Sequence, residues 1–483
     1  MSRDTIRLPR DAYRLLQTLR AAGHSAYVVG GCVRDSLLGR LPGDWDICTS
    51  ARPDQLRAIF HDQRLILTGE KHGTVAVILH GKPYEITTYR LDGSYRDHRH
   101  PDSVQFVDDL AEDLARRDFT INAMAYSAEE GLIDPFGGRD DLAAHRVRAV
   151  GEPERRFEED ALRILRLYRF AARFGFAIDP ATGAAARALG PHLDCVSAER
   201  IQEELLKLLA APRPGSYLEP AVLAVVLPEL EPEKQPERFA ELCRTIDRIE
   251  PTAENMPARL AALLCPLGEA GARKALRKLK CSNALTDEVT ALVGGSVGSF
   301  LLGHEFELRH PADALYLERH SHPAGRCPNS NSLFPPQAAV VAVAGHSIAR
   351  PIACGNRVPP QRTVLGETPG TPGSEMQLTA KRLLGRYELP TIKRLTALCS
   401  ARHPEQAEAF AALQAEAERL TAENACCRVS QLAVNGRDLM AAGVRPGPGL
   451  RQVLNALLEA VITGQTPNEK DALLAAAAQF SAS

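Results

Sequence analysis

Val29-Gly30-Gly31-Cys32-Val33-Arg34-Asp35, followed by Gly43-Asp44-Trp45-Asp46-Ile47, decides how this chain is read. The apolar run Tyr27-Val28-Val29 reads as a short strand. Gly30-Gly31 turns it into a helix near Arg34–Leu38, which Gly39 ends. In a strand, residues two apart project from the same side. Asp44 and Asp46 are therefore expected to face one way, with Trp45 and Ile47 facing a core and Ile47 closing the strand. Two adjacent carboxylates repel each other unless a cation sits between them. An oxygen-rich pair of this kind suits Mg²⁺, which carries nucleotide phosphates. The stretch points to metal-dependent nucleotidyl transfer, with Asp44 and Asp46 as the metal pair; the competing reading is that Asp44 is a turn residue and Asp46 caps a helix.

The glycines belong to the same picture. Backbone N–H groups at Gly30 and Gly31, opening onto a helix, can approach a triphosphate closely. Arg34, one turn inside, can pair with phosphate oxygens. The plainer alternative is a tight strand–helix turn. The chain has no GxxxxGK[ST], which excludes the phosphate-binding loop of ATPases.

A length of 483 residues allows several domains, and 45% hydrophobic with 24% charged residues is ordinary for a soluble globular protein. No apolar run is long enough to span a bilayer, and Met-Ser-Arg-Asp does not read as a signal peptide. The eleven cysteines are scattered and never spaced CxxC, which fits a reducing cytoplasm. With a net charge of −2, a nucleic-acid surface has to be a local patch.

Outward from the opening stretch, residues 7–22 read as an amphipathic helix with Ala12, Leu15, Leu16 and Leu19 on one stripe. Thr74–Leu79 and Tyr84–Tyr89 flank His80-Gly81-Lys82 and read as a hairpin. Asp92–Asp102 is polar and turn-rich, hence a mobile loop. Beyond residue 150 the spacing predicts helices over Glu158–Phe174, Thr182–Leu189, Ala198–Leu209 and Tyr217–Val226, with no strand up to about residue 300. Residues 308–375 hold ten of the thirty-three prolines and read as an insertion or linker. Their histidines and cysteines lack zinc-ligand spacing. Helical periodicity resumes near Leu378, through Glu405–Leu420, Arg437–Ala442 and Leu450–Thr463.

Three further groups carry chemistry. Glu85, on the hairpin, can lie beside the Asp44/Asp46 strand, completing a metal site or acting as base for an attacking hydroxyl; a surface strand glutamate is the competing reading. Arg116-Arg117-Asp118 is expected to open a helix, where it can hold ribose and phosphate or simply cap. In Glu159-Asp160-x-x-Arg163-x-x-Arg166-x-x-Arg169, Asp160 and Arg163 are three apart, neighbours on one helical face. An acceptor-only carboxylate beside a guanidinium can read the amino group and ring acceptor shared by cytosine and adenine. The bland alternative is an ordinary salt bridge.

In this order, these blocks resemble the class II tRNA nucleotidyltransferases, the CCA-adding enzymes, whose head is shared with poly(A) polymerases and the DNA polymerase β superfamily. The likeness includes Ala198-Glu199-Arg200-Ile201-x-x-Glu204-Leu205 and the C-terminal Leu432–Leu439 and Gly464-x-x-Pro467-Asn468-Glu469. It implies an α+β chain: a mixed α/β nucleotidyltransferase head (1–145), then an all-α neck (146–215), body (216–307) and tail (376–483), interrupted by the proline-rich 308–375. It further implies that Asp44 and Asp46 bind Mg²⁺ and that Gly31, Arg34 and Arg117 hold the nucleotide. Asp160 and Arg163 would read the base of CTP or ATP, with Arg166 and Arg169 completing the pocket, and Asp92–Asp102 would be the loop that helps switch from CTP to ATP. The implied reaction is template-independent addition of C, C and A to the tRNA 3′ end. A-adding enzymes, poly(A) polymerases and a non-catalytic RNA-binding protein are the alternatives. Arg273, Lys274, Arg277, Lys278 and Lys280 form one candidate tRNA face; Lys381, Arg382, Arg386, Lys393 and Arg394 form another.

Overall fold

The structure is a computed structural model, which describes residues 5–92, 104–297 and 372–480. The loop expected after Asp92 and nearly all of the proline-rich stretch lie outside the described residues. Two units make up the chain: Met1–Gly298 with Ala380–Ser483, and Ser299–Thr379. Of the second, only 372–379 are described, within the helix Pro372–Arg386. That helix starts earlier than the periodicity near Leu378 suggests, because Pro372 is suited to a first helical turn.

The N-terminal part is a mixed sheet with helices. Helix α1 (Arg10–Ala21) buries Ala12, Leu15, Leu16 and Leu19, the stripe expected from the sequence. Seven strands make one sheet: β1 (Ala26–Val29), β2 (Ile47–Thr49), β3 (Arg64–Ile66), β4 (Thr74–Leu79), β5 (Lys82–Thr88), β8 (Ala125–Ser127) and β9 (Gly131–Ile133), in the order β3-β4-β5-β2-β1-β8-β9. Strands β6 (Arg90–Asp92) and β7 (Val104–Phe106) form a separate antiparallel pair. All four residues of β1 are buried, as suits its place inside the sheet. Strands β4 and β5 do form the expected hairpin. Its turn is the two residues His80 and Gly81, both at positive φ, which matches the twist of the flanking strands.

Among the described residues, the remainder is helical apart from a two-residue ladder. There β10 (Arg146–Val147) pairs in parallel with β11 (Ala177–Ile178), a strand that the sequence reading did not anticipate. Two residues are too few to display alternation. The single helix expected over Glu158–Phe174 is two, α6 (Pro153–Glu159) and α7 (Leu162–Phe174), broken at Asp160. Asp160 adopts φ −144° and ψ 102°, an extended conformation that no helix accommodates. α9 (Ala198–Leu209) packs against α7. Every residue of α12 (Met256–Leu264) from Pro257 onward is buried, so it runs through the middle of the helical part.

One of those residues is Arg259, fully buried. Its guanidinium donates to the carbonyls of Leu209, Ala211, Ile249 and Pro212 at 2.5–3.3 Å. These carbonyls lie at or just beyond the C-terminal ends of α9 and α11 (Pro236–Arg248), which end in orphan acceptors. A C-terminal group of helices, α18 (Gly436–Ala441), α19 (Pro448–Ile462) and α20 (Lys470–Phe480), closes over Leu439, Val453, Leu457 and Leu473.

Candidate active site

Strand register builds the acidic end of the site. β2 lies between β1 and β5 and pairs with β5 in parallel, Ile47 opposite Ile86. Glu85 therefore stands beside Asp46, each one residue before the paired isoleucines. The backbone carbonyl of Asp46 accepts the N–H of Val29 at 3.0 Å, holding the approach to β2 against the end of β1. Asp44 and Asp46 precede the strand instead of lying in it: Ile47 opens β2, and Trp45 is only half-buried. The extended alternation expected for Asp44–Ile47 thus places Ile47 alone in the core.

Burial, with the charges of Asp44 and Glu85, pushes the Asp46 carboxyl up to about 6, against the opposing pull of Arg117. Three carboxylates thus share one electrostatic field, with one arginine countering it. Among the described residues, no three of His, Cys, Asp and Glu converge tightly enough to cage an ion unaided. A closely coupled carboxylate pair is nonetheless the donor set that Mg²⁺ uses when phosphate oxygens and water fill its remaining positions. The residues present fit that ion.

Gly30 sets the position of Arg117. It caps α2 (Gly31–Leu37) at φ 78° and ψ −123°, and a Cβ there would stand 2.8 Å from Arg117 Nη1. Arg117 lies 3.6 Å from Asp113, and its Nε is buried with no hydrogen-bond partner among the described residues. This guanidinium thus has an unsatisfied donor close to the carboxylates. Gly30→Ala forces an L-residue into this region and pushes against Arg117. It should cost about 1–3 kcal/mol of stability; an unchanged denaturant midpoint would refute the strain.

The Arg116-Arg117-Asp118 block follows α4 (Leu110–Ala115) instead of opening a helix. Asp118 is buried; its Oδ1 accepts the Phe119 N–H and the Asn122 amide, and its Oδ2 accepts Arg166 at 2.6 and 2.9 Å. Burial raises this carboxyl, but Arg166 and Asn122 outweigh it and hold it well below the usual range. Asn122 in turn accepts Arg34 Nη1 at 2.5 Å. Arg34 also pairs with Asp35 and lies over the rings of Phe170 and Phe174. At the other end, Arg169 donates to Glu204 at 2.5 Å, and Arg166 lies 3.9 Å from Glu204. Arg34, Asn122, Asp118, Arg166, Glu204 and Arg169 thereby form one connected run of charge-assisted contacts.

The side chains of Asp160 and Arg163 do not pair with each other, although the Arg163 N–H donates to the Asp160 carbonyl at 2.9 Å. Asp160 sits in the break before α7, so the two share no helical face. Arg163 donates to Glu159 at 2.7 Å and to the carbonyls of Arg156 and Arg116. Asp160 accepts Arg200 of α9 at 2.8 and 3.3 Å. Arg200, Glu204 and Asn122 are the participants that sequence reasoning gave no role. Arg200 and Glu204 stand one helical turn apart, a spacing that could have marked them as facing the same neighbour.

Of the two basic sets, that on α13 (Gly268–Lys278) keeps Lys274, Arg277 and Lys278 exposed with no ion pair among the described residues. The other is largely engaged: Arg382 with Glu459, Lys393 with Glu418 and Arg394 with Glu288.

The chain matches three family models: "Poly A polymerase head domain" over residues 26–148, "Probable RNA and SrmB- binding site of polymerase A" over 175–233, and "tRNA nucleotidyltransferase domain 2 putative" over 377–477. It is 43% identical over 287 residues to the CCA-adding enzyme of Geobacillus stearothermophilus, covering 59% of this chain and 69% of that protein. With the CCA-adding enzyme of Levilactobacillus brevis it shares 35% identity over 462 residues, 96% of each. Among solved structures, the Bacillus stearothermophilus CCA-adding enzyme in complex with CTP superimposes with a TM-score of 0.68 at 30% identity, covering 97% of this chain and 96% of that one.

Proposed function

Because this chain belongs to the CCA-adding enzymes, we propose that it extends the tRNA 3′ end with C, C and A, using CTP and ATP without a nucleic-acid template. The carrying observation is the register that sets Glu85 beside Asp46, with Asp44 and Arg117 in the same field. The tRNA 3′-hydroxyl attacks the α-phosphate, a new P–O bond forms, the bond to pyrophosphate breaks, and the hydroxyl proton leaves.

Each residue has an assigned part. Asp44 and Asp46 would hold Mg²⁺. When bound, that ion supplies Lewis-acid stabilisation of the charge on the reacting phosphates. Glu85 takes up the hydroxyl proton or adds a third oxygen donor. Gly30 and Gly31 bring backbone N–H groups to the triphosphate, with Arg34 and Arg117 supplying positive charge. Asp160 and Arg163 read the base, and Arg166 and Arg169 build the pocket wall through Asp118 and Glu204. We assign catalysis to 1–145, base recognition to 146–215 and tRNA binding to the tail, 376–483; in the body, Lys274, Arg277 and Lys278 of α13, exposed and without an ion pair among the described residues, also suit a phosphate backbone. Acting on tRNA, and with scattered thiols in place of a disulfide framework, the protein is assigned to the cytoplasm.

The test is direct. tRNA lacking its 3′ end is incubated with CTP, with ATP and with both, and the product is sequenced. CCA is expected only when both are supplied; A alone or an extended A tract would move the chain to an A-adding enzyme or a poly(A) polymerase. No extension at all would favour the non-catalytic reading. Asp160→Ala should lower discrimination against UTP and GTP by tenfold or more, in the range of about 1–3 kcal/mol that a base-edge contact supplies. Unchanged base choice would remove Asp160 from that role.

A further inference from the structure

Asp160 is not oriented by a helix. It lies in the break between α6 and α7, in extended conformation, so helical periodicity does not aim its carboxylate. Two neighbours do. The Leu162 N–H donates to Oδ1 at 3.1 Å. Arg200, forty residues along the chain, donates Nη1 to Oδ1 at 3.3 Å and Nη2 to Oδ2 at 2.8 Å. Both oxygens are thus held in the planar fork that a guanidinium offers and an ammonium does not.

A carboxylate oxygen has two lone-pair directions. On Oδ1 both are taken, by Leu162 and Arg200. On Oδ2, among the described residues, one is taken and one stays open. A single open acceptor position satisfies one N–H of an exocyclic amino group, as cytosine and adenine carry. Uracil and guanine present a carbonyl oxygen there, and two acceptors repel.

Arg200 is itself well anchored. It sits in the first turn of α9, whose Ile201, Leu205 and Leu208 are buried. Next to it, Glu199 pairs with Lys280, and one turn on, Glu204 pairs with Arg169. Among the described residues, its guanidinium hydrogen-bonds only to Asp160. Both side chains are about one-fifth exposed, 23% for Arg200 and 18% for Asp160, so water screens the pair and its share in global stability is small.

We propose that Arg200 is a positioning residue for base selection, holding the Asp160 carboxylate so that one acceptor direction remains open to an amino-bearing base. The proposal rests on the reading of Asp160 as the base-reading carboxylate. It goes further by assigning the accuracy of that reading to a second helix.

The experiment measures kcat and KM for CTP and UTP on tRNA lacking CCA, and for ATP and GTP on tRNA ending in CC. It compares the wild type, Arg200→Gln, Arg200→Lys, Asp160→Ala and the Arg200→Gln/Asp160→Ala double variant, each checked by thermal melting. Arg200→Gln is expected to lower the CTP/UTP and ATP/GTP preferences about tenfold, within the range for a base-edge contact. Arg200→Lys should restore only part of this. In the Asp160→Ala background, Arg200→Gln should change neither preference further, because the residue acts through Asp160. Wild-type preferences in Arg200→Gln alongside altered ones in Asp160→Ala would overturn the proposal alone. So would an equal loss from Arg200→Gln in both backgrounds, or a change confined to KM for every nucleotide, which would make Arg200 a phosphate contact. If Asp160→Ala keeps wild-type preferences, the base-reading assignment falls and takes this one with it. If Arg200→Gln does not fold, Arg200→Lys carries the comparison, with wild-type preferences counting against the proposal.

Discussion

Asp46→Asn is expected to abolish addition of both cytidine and adenosine while leaving the protein folded. The side chain keeps its size but loses the charge that the proposed cation site requires. A bound metal contributes several kcal/mol of transition-state stabilisation, so a loss of about a thousandfold or more is anticipated. Stability should move the other way. Burial and the neighbouring charges of Asp44 and Glu85 work against an ionised Asp46, pushing its carboxyl up to about 6. Removing that charge relieves repulsion, so the melting temperature should hold or rise. Activity within tenfold of wild type would defeat the metal assignment; a collapsed melting temperature would show Asp46 to be structural.

Arg259→Met is expected to have the largest effect on stability, at a residue that takes no part in the chemistry proposed. The guanidinium satisfies four backbone carbonyls at or just beyond the ends of α9 and α11. Burial lowers its pKa, with Asp247 pulling the other way. Methionine fills much of the volume but leaves those acceptors unsatisfied in a dry interior. Each such group costs about 1–3 kcal/mol, and the saved burial of a cation offsets part of the total. A net loss of about 3–5 kcal/mol is expected, read as a lower denaturant midpoint. Loss below about 1 kcal/mol would mean that water replaces the guanidinium.

Local pattern explains what the sequence made legible. The α1 stripe, the β4–β5 hairpin and the bounds of α9 follow from periodicities and turn residues within a few positions of one another. The Asp44/Asp46 pair was readable because its chemistry is local, and Glu85 because a hairpin strand had few places to go. What escaped depends on residues far apart in the chain. Nothing near Asp160 announces a break, since Glu159, Ala161 and Leu162 are all good helix formers. Arg200 as its partner required knowing that α7 and α9 pack together. Likewise, the second basic set looked like an open positive face until Glu288, Glu418 and Glu459 arrived from other helices.

The contacts of Arg34 bear on how substitutions should be interpreted. Its guanidinium joins Asp35 and Asn122 while lying over Phe170 and Phe174, whose rings are nearly parallel with centroids 6.1 Å apart. Arg166 and Arg169 also approach Phe170, and Arg40 and Arg173 approach Phe174. Residues that share partners in this way do not contribute additively. Arg34→Ala would remove the phosphate ligand proposed above and also unseat an aromatic pair on α7, so its kinetic cost belongs to several side chains at once. Only a cycle that pairs it with Phe174→Leu separates the proposed grip on the nucleotide from the joint between α2 and α7.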